Sequence, residues 1–267
     1  MKFRFTHLRA GWGMVRDSLA AVLFPSNCRV CERLLEHAAR IPVCPDCLDQ
    51  VQRIADPMCV RCGRPLFTPP IQAENFQCRL CRQGRYAFQL ARSYAVYEDS
   101  LVRLIILLKH HGIKPLGAWC AQRLRELAQR YPELAGADAI VPVPLHPARL
   151  RERGYNQAEW IARPLARLLR IPLRPDLLAR VKPRPEKLKL TRRERWEAVR
   201  GAYATTGRAQ VDNLRVLLVD DVFTTGATLD ACARALLRQG AAQVTALTVG
   251  RVVPQWTRQV REAPGSK

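Results

Sequence analysis

The chain has 267 residues, and its 44 Lys and Arg against 23 Asp and Glu give a formal net charge of +21 and a pI of about 10.4. A balance this basic favours a polyanionic partner or an anionic surface, with a merely solvated basic surface as the alternative. No stretch approaches the roughly 18 apolar residues of a membrane span, and the N-terminus lacks a secretory cleavage pattern, so we expect a cytoplasmic protein that is not integral to a membrane.

The first segment, residues 1–25, is predicted to form an amphipathic helix. Apolar residues recur at helical spacing from Leu8 to Leu23, whereas Arg9, Arg16 and Asp17 lie off that face. Such a helix either packs on a neighbouring element or lies on an anionic membrane. The second alternative would hold an otherwise cytoplasmic protein peripherally at the inner face of the membrane.

Residues 26–84 contain eight of the ten cysteines, arranged as four Cys-x-x-Cys pairs. Two such pairs can close a Cys₄ site of the kind that Zn²⁺ prefers. The residues between the pairs are rich in Pro, Arg and Gln, so the metal would have to supply the stability that little apolar burial can give. We expect two zinc sites from sequential pairing, with a cross-braced arrangement as the alternative. Sequential pairing joins Cys28, Cys31, Cys44 and Cys47 in the first site, and Cys59, Cys62, Cys78 and Cys81 in the second.

Residues 85–253 alternate apolar segments with loops and are predicted to form a larger α/β domain. Helices are expected over residues 101–108 and 116–129, and the segment between them contains His110 and His111. Because no third ligand accompanies these histidines, we interpret them as surface residues rather than metal ligands. Two further cysteines, Cys120 and Cys232, fall in helical patterns and are expected to be buried and unreactive.

A second apolar segment, residues 139–143, is predicted to be a strand, and residues 145–157 after it to be a basic loop that leads to a helix over 158–169. A strand followed by such a loop and a helix forms an anion cradle, because backbone N–H groups and arginine side chains converge there. We therefore expect Arg151, Arg153 and Gly154 to bind a phosphate group.

Residues 180–200 are rich in Lys and Arg and include two prolines. Either this segment is a solvated charged loop, or it is mobile until an anion or a closing substrate orders it. Its arginines are also candidates for contacts with the phosphates of a nucleic acid. The residues that we single out for this role are Arg192, Arg193 and Arg195.

The most specific pattern is the apolar strand over residues 216–219, which ends in Asp220 and Asp221 and leads through a Thr- and Gly-rich turn to a helix over 229–239. Hydroxyl groups and the free N–H groups of a helix start suit a phosphate monoester. The two carboxylates suit two vicinal hydroxyls or a hydrated Mg²⁺. A sugar with a 5′-phosphate satisfies both halves. The turn residues of this candidate site are Thr224, Thr225, Gly226, Ala227 and Thr228.

A strand over residues 242–249 follows, and a right-handed β-α-β connection would place it in the same parallel sheet. The predicted fold class is α/β, with a parallel sheet that has helices on both faces and a small metal-binding domain before it. Residues 254–267 are polar and charged, so we expect a disordered tail.

The order Asp-Asp, Thr-Thr-Gly resembles the signature of type I phosphoribosyltransferases, in which two acidic residues hold the ribose hydroxyls of phosphoribosyl pyrophosphate (PRPP) and the next loop holds its 5′-phosphate. This resemblance implies that Mg²⁺ binds with PRPP, that residues 151–154 hold the pyrophosphate, and that residues 180–200 form a hood over the sugar. More narrowly, Val-Pro-Val-Pro-Leu-His-Pro followed by Arg-x-Arg-Gly-Tyr-Asn-Gln-Ala resembles the ComF family of competence-associated proteins, which carry a double zinc ribbon.

The ComF resemblance covers nearly the whole chain and implies a part in natural transformation. The protein would bind PRPP and imported single-stranded DNA, and a competence helicase or a membrane channel is a further candidate partner. The alternative function is a catalytically active phosphoribosyltransferase that moves ribose 5-phosphate to an unknown nitrogen acceptor and releases pyrophosphate. No residue pattern names the acceptor or a catalytic residue.

Overall fold

A computed structural model describes residues 26–253, apart from positions 36, 38–39, 67–74, 184, 186–189 and 207–210. The predicted amphipathic helix within residues 1–25 and the predicted tail over residues 254–267 lie outside the described residues. Among the residues that are described, no helix is long and apolar enough to cross a membrane.

The N-terminal part is organised around its cysteines rather than around long regular elements. Two short helices begin directly after a cysteine, α1 (Pro45–Asp49) and α2 (Arg79–Arg82). Two isolated bridges, Asn27 to Leu34 and Met58 to Pro65, close one knuckle of each half. Regular structure is therefore short here, as the low apolar content predicts.

The larger part contains six strands: β1 (Leu90–Val96), β2 (Ala139–Pro142), β3 (Leu178–Arg180), β4 (Tyr203–Thr205), β5 (Arg215–Phe223) and β6 (Gln243–Arg251). Four of them form a parallel sheet with the strand order β1-β6-β5-β2. Its strands consist mostly of buried Val, Leu, Ala and Ile, as is usual when both faces of a parallel sheet are covered. A separate antiparallel pair, the β3–β4 hairpin with a long connection, lies outside this sheet.

Helices cover both faces of the sheet. Because side chains alternate along each strand, successive strand residues pack against helices on opposite faces. The remaining helices are α3 (Asp99–His110), α4 (Pro115–Ala128), α5 (Pro132–Ala135), α6 (Pro147–Arg153), α7 (Gln157–Leu169), α8 (Arg192–Glu197) and α9 (Ala227–Leu237). On β5, Leu217 and Val219 join the core formed by α3, α4 and α7, whereas Val216 and Leu218 join the core formed with α9. The predicted α/β fold class is confirmed.

Two predicted loops are wrong in part. Within residues 145–157, the segment Pro147–Arg153 is helix α6, which begins where the His146 side chain accepts a hydrogen bond from the N–H of Ala148 and ends at Gly154 in the left-handed region (φ 79°). Within residues 180–200, α8 begins with a capping box in which Thr191 and Glu194 each accept from the other's backbone N–H.

Candidate functional site

A cavity of about 230 Å³ lies at the carboxyl edge of the sheet, beside the ends of β2 and β5. Strand β5 runs past the predicted four apolar residues to Phe223, so it includes both carboxylates. Ligand sites of open α/β sheets lie outside the carboxyl ends of their strands, and this cavity has that position. Six predicted site residues line it: Asp220, Asp221, Thr224, Thr225, Ala227 and Thr228.

The two carboxylates have different environments. Asp221 is buried, and its Oδ2 lies 2.7 Å from Nζ of Lys109 at the end of α3. Burial opposes the charge of Lys109, but the attraction of Asp221 outweighs it and raises the pKa of this lysine. Burial, together with the neighbouring charge of Asp221, raises the pKa of Asp220. Asp220 is therefore the carboxylate that an incoming cation or hydroxyl donor would stabilise most.

The turn after β5 is held in one conformation by close contacts. Gly226 is the N-cap of α9 and has φ 80°, and the Thr225 hydroxyl accepts from the N–H of Ala227 at 3.3 Å. The Tyr86 hydroxyl donates to the Thr225 carbonyl at 3.0 Å. A Cβ atom at position 226 would lie 2.6 Å from the Tyr86 ring and 2.7 Å from the Phe223 ring. The turn therefore needs glycine at this position for two reasons, its backbone angle and the space.

The predicted second cradle does not reach the cavity in this structure. Arg151 and Gly154 are exposed, and Arg153 donates to Oε1 of Gln157 at 2.5 Å. None of these three predicted residues lines the cavity, whereas Leu145 and Gln157, at the two ends of the predicted loop, do.

Three cationic side chains line the cavity instead: Lys109, Arg180 and Arg195. No sequence motif marks Lys109 or Arg180 individually, because they reach the cavity from α3 and from the β3–β4 hairpin. Arg180 is placed by Tyr203, whose hydroxyl lies 3.3 Å from its Nη1. Arg195, which the sequence suggested as a nucleic-acid contact, lies at this cavity, whereas Arg192 and Arg193 line a separate groove.

A second cavity, of about 400 Å³, adjoins the first. Thr224, Thr225, Leu190 and Arg195 line both cavities. Aromatic rings and guanidinium groups dominate the rest of its wall, and no acidic side chain is among its described lining residues. These further residues include Tyr86, Tyr97, Phe223, Arg64, Arg192 and Arg251.

The eight cysteines of the N-terminal part form two clusters, and the predicted sequential pairing is confirmed. In each cluster the four sulfur atoms lie within 4.8 Å of one another, and backbone N–H groups donate to Sγ of Cys28 and of Cys59. Such a set of four thiol ligands fits Zn²⁺. Cys120 and Cys232 are buried and lie outside both clusters, as expected, and His110 and His111 are exposed.

The second cysteine cluster is connected to the turn over residues 224–228 by the side chains between them. Arg251, at the end of β6, donates to the carbonyl of Cys62 at 2.8 Å, and its guanidinium lies 3.9 Å from the centre of the Phe223 ring. Arg61, which lies inside a Cys-x-x-Cys pair, donates to the carbonyl of Tyr86 at 2.6 Å. Tyr86 in turn contacts the turn itself, so a continuous series of contacts joins this cluster to the candidate site.

Comparison with known families agrees with this architecture. The double zinc ribbon domain family matches residues 19–83, and the phosphoribosyl transferase domain family matches residues 156–253. The chain is therefore a protein of the phosphoribosyltransferase fold that carries an N-terminal double zinc ribbon.

Curated relatives narrow the assignment. The chain is 31% identical to DNA utilization protein YhgH of Salmonella typhimurium, over 82% of this chain and 94% of the relative. It is 30% identical to Competence protein ComFC of Bacillus subtilis, over 78% and 84% of the two chains. Competence protein F of Haemophilus influenzae is 29% identical over 78% and 90%. The chain belongs to the ComF family of competence-associated proteins.

Proposed function

We propose that this protein binds PRPP with Mg²⁺, binds single-stranded DNA, and acts in DNA uptake during natural transformation. Two of the relatives described above are named competence proteins, and a third is named a DNA utilization protein. These names support a role in DNA uptake, whereas the geometry of the 230 Å³ cavity supports PRPP as the ligand.

The observation that carries the PRPP proposal is the composition of the 230 Å³ cavity. Its turn, residues 224–228, offers hydroxyls and the N–H groups at the start of α9 to a 5′-phosphate. Asp220 and Asp221 accept hydrogen bonds from the two ribose hydroxyls, and Asp220 also suits a hydrated Mg²⁺. Lys109, Arg180 and Arg195 supply positive charge for the pyrophosphate. One ligand with two phosphate ends and a diol between them uses all of these groups.

Calorimetric titration with PRPP and Mg²⁺ tests this proposal. We expect micromolar binding to the wild-type protein and its loss in Asp220→Asn, because an amide is a weaker acceptor and carries no charge for the cation. Asp138→Asn is a matched control, since Asp138 pairs with Arg215 at the opposite end of β5. Equal PRPP affinity of wild type and Asp220→Asn would refute the assignment.

A catalytic phosphoribosyltransferase is the second candidate function, and the adjoining 400 Å³ cavity favours it. This cavity has room for an acceptor and shares two threonines of the turn with the sugar-phosphate cavity. In the reaction, an acceptor nitrogen would form a bond to C1 of the ribose while the C1–O bond breaks. Pyrophosphate would leave with the electron pair, and the nitrogen would lose a proton. Electrostatic stabilisation of the leaving group by Lys109, Arg180 and Arg195 would do most of the work.

Release of pyrophosphate measures this activity directly. The wild-type protein would be incubated with PRPP, Mg²⁺ and a panel of nucleobases and amines, with Asp220→Asn as the inactive control. Acceptor-dependent release that the control lacks would establish turnover. PRPP binding without release for any acceptor would favour the first candidate, a ligand-binding competence protein.

The zinc ribbons have a structural part in either candidate. Bound Zn²⁺ would cross-link the four thiolates of each cluster and so order a segment whose helices and bridges are short.

A further inference from the structure

A groove of about 840 Å³ lies on α8, the turn after it and the outer face of α9. Its described wall contains two acidic side chains, and each forms an ion pair inside the groove: Glu197 with Arg193 and Asp230 with Arg234, both at 2.8 Å. The other arginines of the wall have no ion pair with any residue that the structure describes. These unpaired arginines are Arg85, Arg192, Arg200 and Arg238.

The groove also contains an aromatic surface. Trp196 is half-buried, and its indole N–H is buried without a hydrogen-bond acceptor among the described residues. The guanidinium of Arg85 lies over its ring, 4.5 Å from the centroid. Unpaired arginines beside an indole ring are the chemistry that binds single-stranded nucleic acid, because the cations hold phosphates and the ring stacks with bases. Stacking of bases distinguishes this partner from an acidic peptide.

Helix α8 forms a wall of this groove and also of the sugar-phosphate cavity. Arg193, Trp196 and Glu197 line the groove, whereas Arg195 lines the cavity. Just beyond the helix, Val199 lines both. One short helix therefore carries positive charge toward two neighbouring spaces.

This shared wall is the element through which a ligand in one site affects the other. Two anions in neighbouring sites repel each other, so a favourable coupling has to come from the ordering of the wall rather than from its charge. An anion that fixes α8 from one side reduces the ordering that a second anion must supply from the other side.

We propose that the 840 Å³ groove is the binding site for single-stranded DNA, and that DNA and PRPP strengthen each other's binding through α8. The inference rests on the proposed function, which it extends by assigning the DNA to this groove and by making the two ligands cooperative.

The first experiment measures binding of a fluorescent oligothymidine by anisotropy at several salt concentrations. The test variant is Arg200→Gln with Arg238→Gln, because both side chains are exposed and neither lines the sugar-phosphate cavity. The control is Arg163→Gln with Arg167→Gln, which removes the same charge from the exposed side of α7.

Loss of two phosphate contacts should reduce the slope of log affinity against log salt by about 1.4, since each contact on a single strand contributes about 0.7. The control variant should keep the wild-type slope. Trp196→Leu should weaken binding of the oligonucleotide about fivefold or more and leave the binding of heparin, which has no bases, unchanged. Equal slopes for test and control variants, or equal losses of heparin and DNA binding in Trp196→Leu, would overturn the assignment of the groove.

The second experiment repeats the PRPP titration with saturating oligonucleotide. We expect PRPP to bind about fivefold or more tightly to the wild-type protein when the oligonucleotide is present. The Arg200→Gln, Arg238→Gln variant should bind PRPP alone as the wild type does and should show no gain from the oligonucleotide. An unchanged PRPP affinity in wild type would refute the cooperativity.

The two experiments also separate this inference from the proposal on which it rests. Failure of every protein to bind PRPP would refute the proposed ligand and the cooperativity, whereas the salt slopes would still decide the groove. Normal PRPP binding combined with unaltered salt slopes would refute the groove alone.

Discussion

The ion pair between Lys109 and Asp221 gives a sharp test of how the site is built. Its atoms are 2.7 Å apart, and 25% of the lysine side chain and 5% of the aspartate side chain are exposed. Removing one partner of a buried ion pair costs about 3–5 kcal/mol, because the other charge stays buried without compensation. Since Lys109 keeps some contact with solvent, we expect Lys109→Met to lower the free energy of unfolding by about 2–3 kcal/mol.

A double-mutant cycle isolates this interaction. Denaturant unfolding at pH 7 would compare the zinc-loaded wild type, Lys109→Met, Asp221→Asn and the double variant. The double variant should recover most of the stability that Lys109→Met loses, because no buried charge is left unpaired. Lys114→Met is the control, since Lys114 is exposed, and it should change stability by less than about 0.5 kcal/mol.

The pH dependence follows from the sign of the shift. Because Asp221 raises the pKa of Lys109 in the folded state, the pair's contribution is fully present at neutral pH and is lost only as the pH rises through that raised pKa. A Lys109→Met variant as stable as the wild type at pH 7, or losses in the cycle that simply add, would refute the view that this lysine compensates the buried carboxylate.

Three further predictions concern the same site. Because the folded-state pKa of Asp220 is raised above its ordinary value of 3.8, the ionised carboxylate opposes folding at neutral pH. Asp220→Asn should therefore raise the free energy of unfolding by roughly 1–2 kcal/mol at pH 7. Thermal unfolding at several pH values should show that this gain in stability vanishes near pH 4 and below. Gly226→Ala should lower the free energy of unfolding by about 2 kcal/mol or more in denaturant titrations. Gly154→Ala should cost less, because Gly154 has nearly the same φ but no atom within 4 Å of its Cβ position. Equal costs would mean that the Tyr86 and Phe223 rings do not restrict the turn. Cys62→Ser should reduce bound zinc to about one ion per chain in metal analysis and should weaken PRPP binding in calorimetry. Cys31→Ser, in the other cluster, should lose as much zinc but keep its PRPP affinity. Equal effects of the two variants on PRPP affinity would contradict the series of contacts between the second cysteine cluster and the turn.

The parts of the site that the sequence predicted are those encoded by neighbouring residues. Asp220, Asp221 and the turn after them follow one another in a single strand–turn–helix unit, so their pattern is visible without the fold. The cysteine clusters are likewise built from pairs only three residues apart, and the remaining question of pairing had few alternatives.

The parts that the sequence did not predict depend on distant segments. Lys109 lies far from Asp221 in the chain, and only the packing of α3 beside β5 brings the two side chains together. Helix α6 had local signals that could have revealed it, a proline at its first position and Gly154 at its end. The basic composition of the segment conflicts with those signals, because it favours an anion-binding loop. Arg192 and Arg195 are three residues apart on α8 and both line the 400 Å³ cavity, whereas Arg193 lines only the separate groove; this division follows from helical geometry once α8 is known.

The position of β6 has a consequence for the order in which this chain acquires its structure. Within the sheet, strand β1 pairs only with β6, which is the last strand of the sheet in chain order, and β6 also borders β5. During synthesis, this edge of β1 must therefore wait until residues 243–251 are made, and such distant pairing is slow. The other edge of β1 has an earlier partner, because an isolated bridge joins Arg53 to Ala95. Arg251 also belongs to β6, so the second cysteine cluster gains its last neighbour only then. A chain that stops before residue 243 would leave one edge of β1 without its sheet partner, and we expect it to aggregate or be degraded rather than survive as a shortened protein.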